Sequence, residues 1–436
     1  LELGKKDRLK NLNYRTTLLG RKNELNKILS RLNNTVLGEG YCHLITGKSG
    51  MGKTRLLNEL QKYTRSKNAS FVYIQCGERS QNTPFFPFIN IIRKKLNLIE
   101  KYPIKQRKQI YQQIKEMIKG DEGLVFKIIP EIKKIYSKNF KEDKELKYDD
   151  DKFFSHLKNI IFSFASESFP FIICIDDMQN FDQESIQFFN YFIQFIKNKS
   201  IYILLSLRDE DIYKIKNFYN QLIDKSKDAH FDLLKLSALG IDDVEEMIGQ
   251  VFGTIYSGIY EVSARLHERT GGNPLLVIEN IKTLVEEGIL FQKDEGWMVN
   301  LKKLSHFRLS SSIVDKISDR LARLSPFVYE ILQCAAILGK DFKFNFLFDV
   351  FSEISENLDK EKLLDTLKSA VDQELLTENL LESQQFGYSF IHDKIRDTLK
   401  SNILKEKKKK IHFIIANMIE KTYQGNDRLY KLAYHY

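Results

Sequence analysis

The segment Gly47-Lys48-Ser49-Gly50-Met51-Gly52-Lys53-Thr54 constrains this chain more than any other feature. It fits the spacing G-x-x-x-x-G-K-[ST], with an apolar run at Tyr41–Thr46 before it and a helical pattern at Lys53–Arg65 after it. Glycines let the backbone turn tightly enough to aim successive N–H groups at phosphate oxygens, and the helix N-terminus adds its dipole. Lys53 is then the side chain to hold β- and γ-phosphates, and the Thr54 hydroxyl is the one to ligate Mg²⁺. The plainer alternative is a glycine turn beside an exposed lysine.

A loop of this kind needs a metal-orienting acid at the end of a neighbouring strand. Phe171-Ile172-Ile173-Cys174-Ile175-Asp176-Asp177 supplies an apolar run closed by two carboxylates. Asp176 is the candidate Mg²⁺ partner, through water. Asp177 is the candidate to polarise an attacking water, because a carboxylate one residue further on points away from the metal ligand. The strand-like run Tyr202–Leu207 ends in Arg208. Parallel strands deliver their C-terminal residues to one edge, where ligands sit, so Arg208 is placed to meet a γ-phosphate. A surface ion pair with Asp209 or Glu210 is the other reading of Arg208. The catalytic candidates are thus Lys53, Asp177 and Arg208, and the metal candidates Thr54 and Asp176.

Short buried strands at Ser70–Gln75, Pro170–Ile175, Ile201–Leu207 and Asp232–Leu236 alternate with helical patterns up to about Ser237, which predicts a parallel sheet covered on both faces. A Lys- and Ile-rich insert, Pro84–Tyr148, interrupts the alternation and is expected to cover one face. Beyond Ser237 the helical period dominates, at Val244–Val251, Tyr260–Arg269 and Pro274–Glu287, with Gly288 as a stop signal. Helices at Ser311–Leu324, Pro326–Leu338 and Glu361–Gln373 precede two short strands, Leu375–Leu381 and Phe386–Phe390, around a polar Glu382–Gln385 turn. Helices followed by a two-stranded wing suggest a winged-helix domain. A last helical stretch starts at Lys405, and its Lys407–Lys410 run reads as a solvated helix face ahead of a nucleic-acid patch.

A length of 436 residues suggests about three domains. The net charge of +10 is dispersed rather than gathered into a stripe, which makes it a poor pointer to nucleic acid. Cys42, Cys76, Cys174 and Cys334 lie far apart in apolar runs, as small core residues do, so neither a disulfide scaffold nor a structural zinc site is expected. The most apolar window, around Ile160–Ile175, is broken by Ser166, Glu167, Ser168 and Pro170, so no membrane span is expected. No signal peptide opens the chain. It begins at Leu1 and ends at Tyr436 inside a helical pattern, and reads as a piece of a longer protein from a reducing, cytoplasmic compartment.

With these residues in hand, the chain from Leu18 to Tyr436 resembles the STAND class of P-loop ATPases, the signal-transduction branch related to AAA+ proteins. Leu19-Gly20-Arg21-Lys22-Asn23-Glu24-Leu25 is similar to the opening GR-x-x-E segment that frames the adenine. Arg269-Thr270-Gly271-Gly272-Asn273-Pro274 resembles the lid segment TGGNP, with Pro274 against the base or ribose. Ser206-Leu207-Arg208-Asp209-Glu210 is similar to a sensor strand ending in RDE. Leu324-Ser325-Pro326 and Ala335-Ala336-Ile337-Leu338-Gly339 look like the winged-helix segment. Phe390-Ile391-His392-Asp393 resembles the MHD motif, whose histidine reaches the β-phosphate of bound ADP; a capping or core histidine is the alternative. The resemblance implies ATP/ADP and Mg²⁺ as cofactors. The nucleotide contacts it implies are Gly20, Arg21, Gly47, Lys48, Ser49, Gly50, Met51, Gly52, Lys53, Thr54, Arg55, Pro274 and His392.

The implied architecture is an α/β P-loop NTPase domain with a parallel sheet, followed by an α-helical lid, a winged-helix domain and the start of a helical repeat. The boundaries expected are a linker at 1–17, the NTPase domain at 18–237, the lid at 238–303, the winged helix at 304–404 and the repeat from 405 to 436. Leu3-Gly4-Lys5-Lys6-Asp7 is similar to the junction after the kinase domain of large bacterial kinase–ATPase–sensor proteins, and modules of fused cyclases and transcription regulators look alike. Tyr430–Tyr436 resembles the opening of their helical repeats. The implied function is a slow ATPase acting as a regulatory nucleotide switch. Its implied partners are fused or associated kinase, cyclase or transcription-regulator domains, with a homo-oligomer on activation and neither nucleic acid nor membrane. The alternative is a replication-initiator-type ATPase that grips DNA through the winged helix. Asp177 stands where many AAA+ motors carry Glu, which implies slow turnover, and Arg265 and Arg269 are candidates for a second sensor.

Overall fold

Runs of five to eight apolar residues separated by amphipathic helices bury both faces only when the runs pair side by side under helices. In the computed structural model, residues 12, 14, 16–136, 150–166, 168–225, 230–253, 257–293, 296–355, 359–380 and 386–422 are described. The chain divides into two compact units, Thr16–Ala238 and Leu1–Arg15 with Leu239–Tyr436.

The first unit runs α1 (Lys22–Val36), β1 (Tyr41–Gly47), α2 (Lys53–Ser66), β2 (Ser70–Gln75), α3 (Phe86–Ile99), α4 (Ile104–Met117), α5 (Glu122–Ile128), α6 (Asp150–Ser163), β3 (Phe171–Asp176), α7 (Gln183–Phe192), β4 (Ile201–Arg208), α8 (Lys216–Lys225) and β5 (Phe231–Lys235). The five strands are parallel, in the order β2-β3-β4-β1-β5. Alternation along each strand sorts its side chains between two cores. Ile173, Ile175, Ile203 and Leu205 join one cluster, which the insert fills with Ile91, Ile92, Ile114 and Val125. Ile172, Cys174, Tyr202 and Leu204 join the other, with Ile28 and Leu32 of α1 and Leu56, Leu57 and Leu60 of α2. The four cysteines are free thiols inside these and neighbouring cores.

Register is what builds the site. Gly47 pairs with Arg208 across β1 and β4, and Gln75 with Asp176 across β2 and β3, so the ends of four strands meet at one sheet edge. One polar group is buried deeper in β1. The His43 ring lies 2.8 Å from the Tyr202 hydroxyl, and burial pushes its pKa down to about 4.

The second unit opens with α9 (Ile241–Phe252), α10 (Ile259–Thr270) and α11 (Pro274–Glu286). Successive left-handed glycines, Gly271 and Gly272, end α10, and the Asn273 side chain caps α11. Gly288, also left-handed, stops α11 as its sequence position suggests. A hairpin, β6 (Leu290–Lys293) and β7 (Gly296–Val299), leads to α12 (Leu301–His306). Then come α13 (Ile313–Ala322), α14 (Pro326–Leu338), β8 (Asp341–Lys343), α15 (Phe344–Ser352), α16 (Lys360–Asp372), β9 (Leu376–Leu380), β10 (Phe386–Phe390), α17 (Asp393–Ser401) and α18 (Lys405–Thr422). The strands β8, β10 and β9 form an antiparallel sheet in that order. Along α18, Ile411, Ile415, Ala416 and Ile419 face the core, while of the Lys407–Lys410 run Lys409 and Lys410 are exposed and Lys407 and Lys408 half-buried.

In the second unit the β6–β7 hairpin, α12, β8 and α15 escaped the sequence pattern, and in the first unit so did α8 and the helices α3, α4 and α5 inside the insert. The hairpin strands and β8 are too short to establish a period. In α15, Phe344, Phe348 and Phe351 share one side of the helix, but its nine residues span too few turns to set the helical period apart from a short apolar run. Ahead of the first unit, Tyr14 sits with its ring 5.1 Å from Lys282 Nζ of α11, so at this residue the expected linker is packed. The junction motif at 3–7, most of the 1–17 linker, the 382–385 turn and the repeat motif at 430–436 lie outside the described residues. Among the described residues, no helix is long and apolar enough to cross a membrane.

Candidate nucleotide site

The loop between β1 and α2 takes the backbone path its glycines permit. Gly50 and Gly52 have φ of 84° and 90°, a region that a side chain at Cβ disfavours, and Gly52 is the N-cap of α2. Lys53 is buried at the first position of α2. Its Nζ donates to Gly47 O at 2.5 Å and to Lys48 O at 3.0 Å, so the ammonium already lies against the loop it is expected to serve. Burial lowers its pKa and nearby Arg208 lowers it further, against Glu210, Asp177 and Asp176.

Thr54 Oγ1 donates to Asp176 Oδ2 at 2.6 Å. The Tyr73 hydroxyl donates to the same oxygen at 2.7 Å, and Ser206 Oγ donates to Oδ1. Asp176 is fully buried, and burial followed by repulsion from Asp177 raises its pKa. Asp177 has the left-handed φ of 61°, which turns its carboxylate away from Thr54. That carboxylate accepts from Arg208 Nε at 2.8 Å and Nη2 at 3.1 Å, from Gln179 Nε2 at 2.9 Å and from Gln75 Nε2 at 3.1 Å. Burial pushes its pKa up, but the Arg208 guanidinium and the two amides outweigh it and hold the carboxyl below its ordinary range. Asp177 and Arg208, expected to address a water and a γ-phosphate separately, are paired with each other.

The remaining candidates divide between the units. Gly20 is left-handed, and buried Arg21 donates to Met51 O at 3.2 Å and Ser237 O at 2.7 Å, tying the segment before α1 to the loop and to the residue chain after β5. Arg55 donates to Thr16 and Thr17 carbonyls, so it holds the incoming chain. Pro274 is the first residue of α11 and His392 the N-cap of α17, both in the second unit. The His392 side chain makes no cap bond; burial lowers its pKa, with Glu279 opposing and Lys282 and Arg320 reinforcing. Arg265 donates to the carbonyls of Ser305 and Phe307, and Arg269 is exposed.

Sequence reading missed Tyr73, Gln75 and Gln179, and it named Ser206 and Glu210 only within the sensor-like segment and, for Glu210, as a surface partner of Arg208. Glu210 accepts from the Ser49 backbone N–H, at 3.0 and 3.3 Å to its two oxygens. Gln75 closes β2 and Glu210 lies two residues past β4, the one signal that could have found them, while Ser206 lies inside β4.

Among the described residues, no group of three or more His, Cys, Asp or Glu gathers to hold a metal unaided. The donors present, a hydroxyl and a carboxylate 2.6 Å apart, are hard oxygens and suit a Mg²⁺ that takes its other ligands from phosphates and water.

Residues 17–203 match the AAA ATPase domain family. Over an alignment of 523 residues, the chain is 19% identical to hybrid signal transduction histidine kinase G of Dictyostelium discoideum, covering 97% of this chain. It spans only 15% of that kinase's length. An uncharacterized ATP-binding protein of Methanocaldococcus jannaschii is 24% identical over 298 residues, 66% of this chain and 76% of that one. Among solved structures, Cdc6p from Pyrobaculum aerophilum aligns at 13% identity and a TM-score of 0.39, covering 93% of this chain and 96% of its own. The glycine loop, the acids closing β3 and the family match agree: residues 17–203 carry an AAA-type P-loop ATPase domain.

Proposed function

We propose that this chain is an ATP-binding and slowly hydrolysing regulatory switch of the STAND type, which controls signalling or effector domains linked to it. The observation that carries the reading is the clamp on Asp177. A carboxylate that holds a guanidinium through two bonds is stabilised in its charged form and is a poor acceptor for a water's proton. Hydrolysis then waits for the Arg208–Asp177 pair to part, which makes turnover a gated event rather than a continuous one.

In this reading the amides of residues 47–54 receive phosphate oxygens, and Lys53 moves its ammonium from the loop carbonyls to the β- and γ-phosphates. Thr54 and Asp176 hold Mg²⁺, which neutralises phosphate charge. Tyr73 and Ser206 keep the Asp176 carboxylate aimed at Thr54. Arg208, once released from Asp177, meets the γ-phosphate, and Asp177 is freed to polarise water. Pro274 contacts the base or ribose and His392 the β-phosphate of ADP. Helices α13 to α16 together with the three-stranded sheet β8-β10-β9 are read as a winged helix, and residues 238–303 as the lid. The Dictyostelium relative, a hybrid signal transduction histidine kinase, supports linkage to signalling domains; assembly on activation and a cytoplasmic setting belong to the same proposal.

The DNA-gripping alternative draws less support from the helix before the hairpin. That helix, α16, carries Lys360, Lys362 and Lys368 against Glu361, Asp365 and Asp372, a balance suited to packing rather than to phosphate contact.

The test is to denature the purified protein and identify the released nucleotide by chromatography. Near-stoichiometric ADP is the expected result. A site that purifies without nucleotide and releases phosphate steadily overturns the switch in favour of a motor, and duplex binding that weakens steeply with salt brings back the initiator reading.

A further inference from the structure

Two side chains of one short segment reach into the nucleotide site from the end of β4. Arg208 closes that strand and clamps Asp177. Two residues later, in the turn that follows β4, Glu210 places both carboxylate oxygens on the Ser49 N–H, at 3.0 and 3.3 Å. Ser49 belongs to the glycine loop, and its amide is one of the donors such a loop turns toward phosphate. A carboxylate on that amide supplies the negative charge and acceptor oxygens a phosphate would supply. Glu210 is solvent-exposed and 161 residues from Ser49 in sequence, so this contact is made by the fold and not by the local turn.

From this geometry we infer that Glu210 is an intramolecular phosphate mimic, competing with the nucleotide for the glycine loop. Because it shares a segment with Arg208, its displacement is coupled to release of Asp177. The inference rests on the nucleotide-switch reading and adds a latch to it. Phosphate oxygens and the Glu210 carboxylate cannot share the Ser49 amide, and like charges drive them apart. Nucleotide binding therefore pushes residues 208–210 away from the loop and pulls Arg208 off Asp177. The apparent affinity for nucleotide is lowered by the fraction of molecules in which Glu210 sits on the loop.

The test compares wild type with Glu210→Ala and with Glu210→Gln, which keeps the acceptor oxygen but loses the charge. Binding of ADP, inorganic pyrophosphate and adenosine is measured by calorimetry at low salt. Expected is ADP and pyrophosphate binding about threefold to tenfold tighter in Glu210→Ala, a smaller gain in Glu210→Gln, and unchanged adenosine binding. ADP affinity within twofold of wild type in both variants overturns the latch while leaving the nucleotide site intact. Weaker ADP binding also overturns it, since Glu210 then helps to hold nucleotide. If neither wild type nor variants bind ADP any better than Lys53→Ala does, both the latch and the switch fall.

Discussion

Asp176 and Asp177 are neighbours in sequence with opposite fates. Asp176 is buried with hydroxyls for partners and, among the described residues, no ion pair to a cation, so its charge is a cost to the fold; Asp177 is neutralised by Arg208. Replacing Asp176 by Asn keeps acceptor and donor atoms for Thr54, Tyr73 and Ser206 while removing one of two adjacent buried charges. Asp176→Asn is therefore expected to raise the thermal midpoint by about 2–4 °C, on the order of 1 kcal/mol for a unit of this size. The same change is expected to cut Mg²⁺-dependent ATP turnover at least about a hundredfold. Scanning calorimetry and phosphate release check the two halves, and a lowered midpoint contradicts the electrostatic argument.

At the scale of elements, β1 carries a histidine that the sheet keeps neutral. His43 has a folded pKa of about 4, below its ordinary 6.5. The unfolded chain therefore binds the extra proton first: this contribution is complete above about pH 6.5 and is lost as pH falls toward 4. The loss amounts to on the order of 3 kcal/mol across that window. Urea unfolding at stepped pH is expected to show this decline, and His43→Gln to flatten it; an equal slope in the variant removes His43 as the cause. A second element-level device joins α11 to α13 and to the approach to β9. Glu279 accepts from Arg320 and lies 3.4 Å from Lys282, and both cations also reach Glu374. Glu279 is buried, so Glu279→Ala leaves Arg320 short of a partner and is expected to cost about 1–3 kcal/mol, with Glu279→Gln recovering part of it. Calorimetry that finds both variants as stable as wild type would assign the cluster no role in holding these helices together.

At the scale of the whole molecule, the proposed switch makes its prediction at His392, a residue of the second unit. His392 lies close enough to Glu279, Lys282 and Arg320 to be shifted by each, and its lowered pKa keeps the imidazole neutral near pH 7. A neutral ring still donates one N–H to a phosphate oxygen. If the switch works as proposed, His392→Ala weakens ADP retention about tenfold and speeds nucleotide exchange, while adenosine affinity is unchanged. Equal ADP off-rates in wild type and variant take His392 out of the mechanism and leave it a residue of the ionic cluster.

The sequence by itself determined the phosphate loop, the acids of β3 and the strand order of events from Tyr41 to Lys235, because each rests on contiguous residues. Glycines at Gly50 and Gly52 permit the turn, an apolar run closed by Asp176 marks a buried strand, and burial on both faces makes that run continuous. The tertiary structure alone decided what those residues touch. Tyr73 and Ser206 meet Asp176 only because β2 and β4 flank β3 in parallel register, and Arg208 finds Asp177 rather than its sequence neighbours for the same reason. Glu210 reads as the end of a sensor-like segment or a surface partner of Arg208 until the fold lays it on Ser49. Hydrogen-bond partners and pKa shifts depend on distances between strands far apart in the chain, and pairing in a sheet, not adjacency in sequence, fixes those distances.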